Sequence, residues 1–265
     1  MIFFSQFESV YLWLPLIGFI IGFIGSMLGG GGGFFFIPVL TVLFKVPAQV
    51  AVATSLAATL PIGIVGSLGH HRNNNIDVPL GIAFAVTGIL GAFVGASITN
   101  LITTGQLKDS FGVYSILMAS FLIFGNLKEK RAEINGKQIP SGSTFQKMTR
   151  GSFFGVLSGV ITATFGTTGT APVQAAMFSM RMPLKLVVGT SLLVSTVNTF
   201  SSLGAHFLVG RIDLTLVAFL TSGTIIGSLF GPKLLAGIKF GRAEAPIRFW
   251  YAIGMIAFGI VMIIA

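Results

Sequence analysis

The chain has 265 residues, of which 53% are hydrophobic and 9% are charged. Because a soluble domain carries about 25% charged residues, this composition excludes a water-covered globule and indicates an integral membrane protein that faces the lipid bilayer. The sequence has no cysteine, which excludes disulfides and zinc–thiolate sites. The net charge of +9 comes from basic residues between apolar segments, as topology signals are placed, so we expect no nucleic-acid partner.

Ten apolar segments follow one another along the chain, five in each half. An unpaired strand cannot satisfy its backbone in lipid, so all ten are predicted to be helices of an all-α membrane protein. In the first half they span 10–28, 34–44, 47–69, 79–102 and 110–126, and in the second half 151–165, 170–180, 183–209, 213–237 and 246–265.

The two halves are related by a fixed offset. Thr54 corresponds to Thr190, and His70 to His206, each 136 positions later. Further pairs at this offset are Pro47 with Pro183, Ser55 with Ser191, Asp77 with Asp213, Gly91 with Gly227 and Gly95 with Gly231. The sequence therefore predicts a first repeat over 1–127, a polar linker over 128–150 and a second repeat over 151–265.

The distribution of basic residues predicts the orientation of the chain. The linker is rich in Lys and Arg, which places it in the cytoplasm. Counting outward from it leaves Lys45, Lys108 and Arg211 outside and puts every other Lys and Arg inside. We therefore expect a multi-pass protein of the cytoplasmic membrane with both termini outside. An odd number of segments per half makes the second repeat inverted.

The second segment of each half is too short to cross the bilayer. Residues 34–44 would rise about 16 Å as a helix, against a hydrocarbon core of about 30 Å, and 151–165 are also short. The economical arrangement is a re-entrant hairpin in each repeat, formed by its first two segments. The chain would break near mid-depth at "GGGGG" (29–33) and at "FGTTGTAPVQ" (165–174).

These breaks predict an anion site without a charged side chain. Helices that begin at mid-depth present free N–H donors and roughly half a positive charge at their N-termini. Hydroxyl groups near the breaks could add donors, although they could also bond their own helices, and Asn198 could either tie helices together or touch substrate. The predicted substrate-binding residues are Gly30, Gly31, Gly32, Gly33, Phe34, Thr54, Ser55, Gly166, Thr167, Thr168, Gly169, Thr170, Thr190, Ser191 and Asn198.

The segment "GGGGGFFFIP" (29–38) resembles the GxGGGxxxxP pattern of the TauE/SafE family of sulfite and organosulfonate exporters. The duplicated halves and the "TS" pair in each third segment are also similar to that family. The resemblance covers essentially the whole chain. It implies transport of small sulfur-containing anions such as sulfite and sulfonates. The second copy, "GTTGTAP", departs from the pattern by carrying threonines and an early proline.

The sequence offers no obvious side chain that would carry protons and so couple transport to them. An intramembrane carboxylate is the usual relay, but all seven acidic residues fall in loops or at segment ends. The remaining coupling or gating candidates are His70, His206, Asp77 and Asp213. Each has a structural alternative, since the histidines could be interfacial and the aspartates could cap helices. The sequence indicates no cofactor and no metal site.

The spacing of Gly91 and Gly95 predicts close helix packing of the GxxxG type. This packing could lie within one chain or between two copies, which leaves a homodimer open. The predicted function is a secondary transporter or exporter of a small anion; an anion channel with the same pore elements is the alternative. An enzyme is not expected, because Ser158 in "GVLSG" has no positioned base.

Overall fold

The computed structural model describes residues 2–28, 32–134, 144–180, 182–236 and 244–264. It is almost entirely helical. The elements are β1 (Ile2–Phe3), a 3₁₀ turn (Ser9–Trp13), α1 (Leu14–Leu28), α2 (Gly33–Pro38), a π-helical turn (Val39–Leu43), α3 (Ala48–Arg72), α4 (Val78–Leu101), α5 (Thr104–Ile134), α6 (Thr144–Phe165), α7 (Thr170–Ser179), α8 (Leu184–Val209), β2 (Ile212–Asp213), α9 (Leu214–Ala236) and α10 (Glu244–Ile264).

These helices agree with the predicted order, but several boundaries differ. α5 runs to Ile134, past the predicted end at 126 and into the predicted linker. α5 begins at Thr104 and α6 at Thr144, ahead of the predicted starts at 110 and 151. α6 therefore has 22 residues and a length of about 33 Å, although its apolar part, Gly151–Phe165, is the short segment that was predicted. The predicted segment 34–44 is divided, because a π-helical turn follows Pro38.

Several helices have the length and apolarity of membrane spans. Among the described residues, four stretches are both long enough and apolar enough to cross a bilayer, namely Ser9–Ser26, Ala48–Arg72, Val78–Leu101 and Lys185–Leu208. Shorter apolar helices cover Gly33–Leu43, Gly151–Phe165, Leu214–Phe230 and Ala252–Ile264. Large apolar side chains such as Leu90 and Leu101 are exposed on the outer faces, where lipid would surround them.

Helices from the two halves exchange partners symmetrically. α4 packs on α6 and α8, and α9 packs on α1 and α3. These contacts run through glycines: a side chain at Gly91 would collide with the carbonyl of Val156, and one at Gly95 with that of Val160. A step of four residues along α4, from Gly91 to Gly95, matches a step of four residues in the same direction along α6, from Val156 to Val160. The two helices therefore run parallel. The GxxxG spacing of α4 thus serves packing within the chain and gives no support to a homodimer.

The same close approach joins α9 to α1. A side chain at Gly223 would collide with the carbonyl of Pro15, and one at Gly227 with that of Phe19. α9 and α1 therefore also run parallel. Gly231, the last glycine of this motif, has surroundings that lie outside the described side chains.

Two pairs of helices that correspond in sequence, with one member from each half, pack against each other in opposite directions. On α3, Gly63 lies against Thr196 of α8, while Gly66, one turn later, lies against Leu192. On α5, Gly112 lies against Ile263 of α10, whereas Gly259 of α10 lies against Ile116. α3 is thus antiparallel to α8, and α5 to α10.

Candidate functional site

The second hairpin turns at two glycines between α6 and α7. Gly166 has a φ of 59° and Gly169 a φ of 55°, in the left-handed region that only glycine adopts freely. Gly169 is also the N-cap of α7 and brings no side chain to bond its first N–H groups. The break therefore falls at 166–169, within the predicted stretch 165–174.

The first hairpin breaks immediately before α2. Gly32 caps α2 with a φ of 72°, and its carbonyl accepts a hydrogen bond from the N–H of Phe35 at 3.0 Å. The predicted site residues Gly30 and Gly31 lie outside the described residues. Gly32 and Gly33 are buried, so this end of the hairpin is enclosed by protein, as irregular backbone at membrane depth must be.

The two hairpin tips touch each other. A side chain at Gly33 would meet the carbonyl oxygen of Gly166 and the Cα of Thr167, each at 2.9 Å. Glycine is needed here because any larger residue would push the tips apart. Thr167 is fully buried and Thr168 is 2% exposed. The sequence breaks of both repeats are therefore brought together in the interior.

Serine hydroxyls from both halves hold the carbonyl groups of the second tip. Ser55 of α3 donates to the carbonyl of Gly166 at 2.7 Å. Ser195 of α8 donates to the carbonyl of Thr168 at 2.8 Å. Because these oxygens already accept hydrogen bonds, less negative potential remains at the tip to repel an anion. Ser55 was among the predicted site residues, whereas Ser195 was missed.

A third link reaches the N-cap of α7. Ser158 of α6 donates to the carbonyl of Gly169 at 2.7 Å, and the side-chain amide of Asn198 donates to the Ser158 hydroxyl at 3.0 Å. Asn198 thus ties α8 to α6 and the hairpin, the first of its two predicted alternatives. The sequence pointed to Ser158 only as a possible nucleophile. Its structural role could have been predicted from the position of a small polar residue on the helix that faces the break.

Among the described residues, three buried polar atoms of the predicted site side chains have no hydrogen-bond partner. They are the hydroxyl oxygens of Thr54 and Thr167 and the amide oxygen of Asn198. A buried polar group without a partner costs free energy, so such groups mark places where a ligand or water can bind. Thr167 lies at the contact between the tips, which makes its hydroxyl the clearest candidate for a substrate contact.

The polar side chains buried around the tips carry hydroxyl or amide groups rather than charges. Buried Asp213 lies at the turn between α8 and α9, where its carboxylate accepts the N–H of Thr215 at 3.0 Å and that of Ser5 at 3.2 Å. Asp77 accepts the N–H of Leu80 at 3.1 Å and caps α4. Among the described residues, no group of three or more His, Asp or Glu is arranged to hold a metal ion.

Other predicted residues have partners elsewhere. The Thr190 hydroxyl accepts the N–H of Asp77 at 2.9 Å. Ser191 accepts a hydrogen bond from the side chain of Gln174 at 3.2 Å. These contacts place Thr190 at the turn between α3 and α4, and Ser191 against α7 behind its first turn. Thr170 is the first residue of α7.

The two histidines occupy different surroundings. His206 is 1% exposed, and its Nε2 lies 2.8 Å from the carbonyl oxygen of Ala163, which accepts the hydrogen bond. Thr99 shares this carbonyl at 3.2 Å. Both donors therefore cap the last turn of α6, just before the hairpin break. His70 is half-buried near the end of α3, against Gly189.

The profile of the family described as "Sulfite exporter TauE/SafE" matches residues 14–262. This chain belongs to the TauE/SafE family. It is 29% identical to the probable membrane transporter protein YdhB of Bacillus subtilis over 221 residues, which cover 82% of this chain and 87% of YdhB. It is 26% identical to the probable membrane transporter protein MJ0441 of Methanocaldococcus jannaschii, covering 86% and 88% of the two chains. No solved structure matches.

The family assignment agrees with the glycine-rich pattern at 29–38 and with the helical, lipid-facing architecture. As a TauE/SafE protein, the chain is a multi-pass membrane protein and a membrane transporter of this type. The family match covers nearly the whole chain, so the residues of both hairpins lie inside the matched region.

Proposed function

We propose that this protein carries a small sulfur-containing anion, such as sulfite or a short organosulfonate, across the cytoplasmic membrane. The observation that carries this proposal is the buried contact of Gly33 with Gly166 and Thr167. In the proposed site, the anion binds beside this contact, between the two hairpins. The contact would have to open and close as substrate passes.

The recognition of negative charge is assigned to the backbone. α7 has ten residues and begins at Thr170 next to the tip, and its first N–H groups, with the helix dipole, favour an anion. Pro172 in this first turn supplies no N–H, so the unpaired hydroxyl of Thr167 is the natural additional donor. Hydrogen bonds to an ion are stronger in a low-dielectric interior than in water, and no buried Lys or Arg is required.

The relative directions of the helices support a pair of inverted repeats. Equivalent helices of two inverted repeats must run in opposite directions, as α3 and α8 do, and as α5 and α10 do. In secondary transporters, such repeats rock against each other around a midplane site built from broken helices. The predicted distribution of Lys and Arg supports an orientation with the linker in the cytoplasm and both termini outside.

The experiment is transport of sulfite into proteoliposomes, paired with thermal unfolding of the purified protein. A ligand at 100 times its Kd stabilises the folded state by about 2.7 kcal/mol, so sulfite should raise the melting temperature where phosphate does not. Thr167→Val should weaken sulfite binding about tenfold or more, because one hydrogen bond to an ion contributes about 1.5–3 kcal/mol.

The matched control is Thr87→Val. The Thr87 hydroxyl bonds only the carbonyls of Ala83 and Phe84 on its own helix, each at 3.1 Å. This variant should bind and transport sulfite as the unmodified protein does. Absence of sulfite flux, or equal losses in the two variants, would reject the proposed site.

An anion channel remains the second candidate function, because no carboxylate is buried inside the described membrane-spanning helices to relay protons. The direct contact between the tips supports a carrier instead, since it closes the route at the site. A counterflow experiment distinguishes a carrier from a channel. A carrier accelerates labelled sulfite uptake when unlabelled sulfite is inside the vesicles, whereas a channel gives a current proportional to voltage.

A further inference from the structure

The ring of Tyr114, on α5, is stacked between rings from the two hairpins. Its centroid lies 5.5 Å from that of Phe34, with an interplanar angle of 12°. On the other side it lies 4.9 Å from the centroid of Phe165, at 13°. Phe34 follows Gly33 at the start of α2, and Phe165 precedes Gly166 at the end of α6. One ring of α5 therefore bridges the tips immediately beside their backbone contact.

A fourth ring completes this aromatic wall. Phe111, one turn before Tyr114, lies 6.1 Å from Phe165 at 70° and 6.2 Å from Phe34 at 50°. Tyr114 is 8% exposed and Phe34 5% exposed. The wall of Phe34, Phe111, Tyr114 and Phe165 thus closes the tips on the side of α5 and leaves little room there for an additional solute group.

The aromatic wall differs in sequence between the two halves. The residue equivalent to Tyr114 in the second half is Trp250, which is 68% exposed. The residue equivalent to Phe34 is Thr170. Because a threonine stands where the first half has Phe34, the stack of Phe34 on Tyr114 has no sequence counterpart in the second half.

We propose that Tyr114 is a specificity-determining residue that limits the width of the anion admitted between the hairpins. This inference rests on the proposed function. A compact oxyanion such as sulfite would fit beside the tips without moving the stack. A sulfonate with a longer alkyl tail would have to displace the Tyr114 ring. The free-energy cost of that displacement would exclude the longer sulfonate from the site.

The test compares sulfite with 1-propanesulfonate in proteoliposomes containing the full chain. The unmodified protein should prefer sulfite, and Tyr114→Phe should behave alike because the ring stays in place. Tyr114→Ala should raise the ratio of propanesulfonate to sulfite transport about tenfold or more, the scale on which pocket shape discriminates alkyl groups. The control is Tyr11→Ala. Tyr11 is also a buried tyrosine, 7% exposed, and the centroid of its ring lies 6.5 Å from that of Phe44.

Equal selectivity in the unmodified protein and Tyr114→Ala would overturn the inference, as would the same change in Tyr11→Ala. Should Tyr114→Ala not be recovered as folded protein, Tyr114→Leu keeps much of the apolar volume without the planar ring and is judged by the same ratio.

A labelling experiment separates this inference from the proposed function. The chain has no cysteine, so Thr167→Cys introduces a single thiol at the tips. Its reaction with 2-sulfonatoethyl methanethiosulfonate should be about tenfold faster with Tyr114→Ala than without it, because a narrow entry discriminates by size, and Tyr11→Ala should leave it unchanged. If no anion is transported, the proposed function fails, but the labelling rate of the thiol still decides whether Tyr114 closes the tips. If Tyr114→Ala leaves the labelling rate unchanged, the inference about Tyr114 is overturned even where sulfite flux is intact.

Discussion

The side-chain amide of Asn198 donates a 3.0 Å hydrogen bond to the hydroxyl of Ser158, which in turn donates to the carbonyl of Gly169. A residue of α8 therefore holds the N-cap of α7 through a residue of α6. The equivalent position of Asn198 in the first half is Ile62; ahead of the glycine run, where Gly25 corresponds to Gly159 at an offset of 134, the equivalent of Ser158 is Ile24. Neither isoleucine can form such a link. The two hairpins are thus built alike in backbone but are held by different side chains.

This relay predicts an energetic coupling between Asn198 and Ser158. Asn198→Leu and Ser158→Ala should each lower the free energy of unfolding, and the double variant should lose less than the sum. Hydrogen bonds between membrane helices are worth about 0.6 kcal/mol on average and about 1.7 kcal/mol at most, so the coupling should fall in that range. Unfolding in mild detergent, analysed as a double-mutant cycle, measures it.

The control for the relay is Asn100→Leu, since the Asn100 amide bonds the carbonyl of Ala96 on its own helix at 2.8 Å. Paired with Ser158→Ala, it should give an additive result. Additive losses for Asn198 and Ser158 as well would show that the relay does not act as a unit.

Gly169 should tolerate no side chain. Its φ of 55° is unfavourable for other residues, and a Cβ would lie 2.5 Å from the carbonyl oxygen of Ser158. Backbone strain of this kind costs about 1–3 kcal/mol, so Gly169→Ala should lower the melting temperature and sulfite transport together. Gly204→Ala is the matched control, because a Cβ there meets nothing within 4 Å, and a helical Gly→Ala change at such a site should be neutral or stabilising. Equal behaviour of the two variants would contradict the assigned role of Gly169.

Much of this architecture is predictable because it depends on local composition and on the repeat. Apolar length gave the ten helices, and the glycine and threonine runs gave both hairpin breaks. Boundaries failed where polar residues continue a helix beyond its apolar part, as at Thr104 and Thr144. Helical hydrogen bonds do not require apolar side chains, so hydropathy marks the membrane-facing length of a helix and not its ends.

The residues that fix the site were harder to predict because their partners are distant in sequence. Ser195 and Tyr114 contact groups on other helices. An isolated serine or tyrosine in an apolar segment usually bonds its own helix or fills the core. Thr190 shows another limit of the repeat, because its equivalence to Thr54 predicted a place in the site, and the equivalence gave no sign that its hydroxyl accepts the N–H of Asp77.

His206 is expected to act as a hydrogen-bond donor rather than as a proton carrier. Its Nε2 lies 2.8 Å from the carbonyl oxygen of Ala163 at the end of α6, and a glutamine amide can donate to the same oxygen. His206→Gln should therefore keep sulfite transport and its dependence on pH, while His206→Leu should lose stability by about 1–3 kcal/mol, the cost of an unpaired buried group. Transport measured across a pH series in both variants decides this. Loss of the pH dependence in a folded His206→Gln protein would assign the coupling role to His206 instead.

Asp213 should contribute more stability than its repeat equivalent Asp77. The Asp77 carboxylate accepts one backbone N–H, from Leu80, whereas Asp213 accepts those of Thr215 and Ser5 and lies beside the pairing of β1 with β2. Loss of an N-cap costs about 1 kcal/mol, so Asp77→Ala should cost about that much. Asp213→Ala should cost more, because a second N–H loses its partner.

Hydrogen exchange adds a local readout: the amides of residues 2–5 should exchange faster in Asp213→Ala and at the original rate in Asp77→Ala. Equal unfolding energies with unchanged exchange would mean that the N-terminal segment is held without the Asp213 carboxylate.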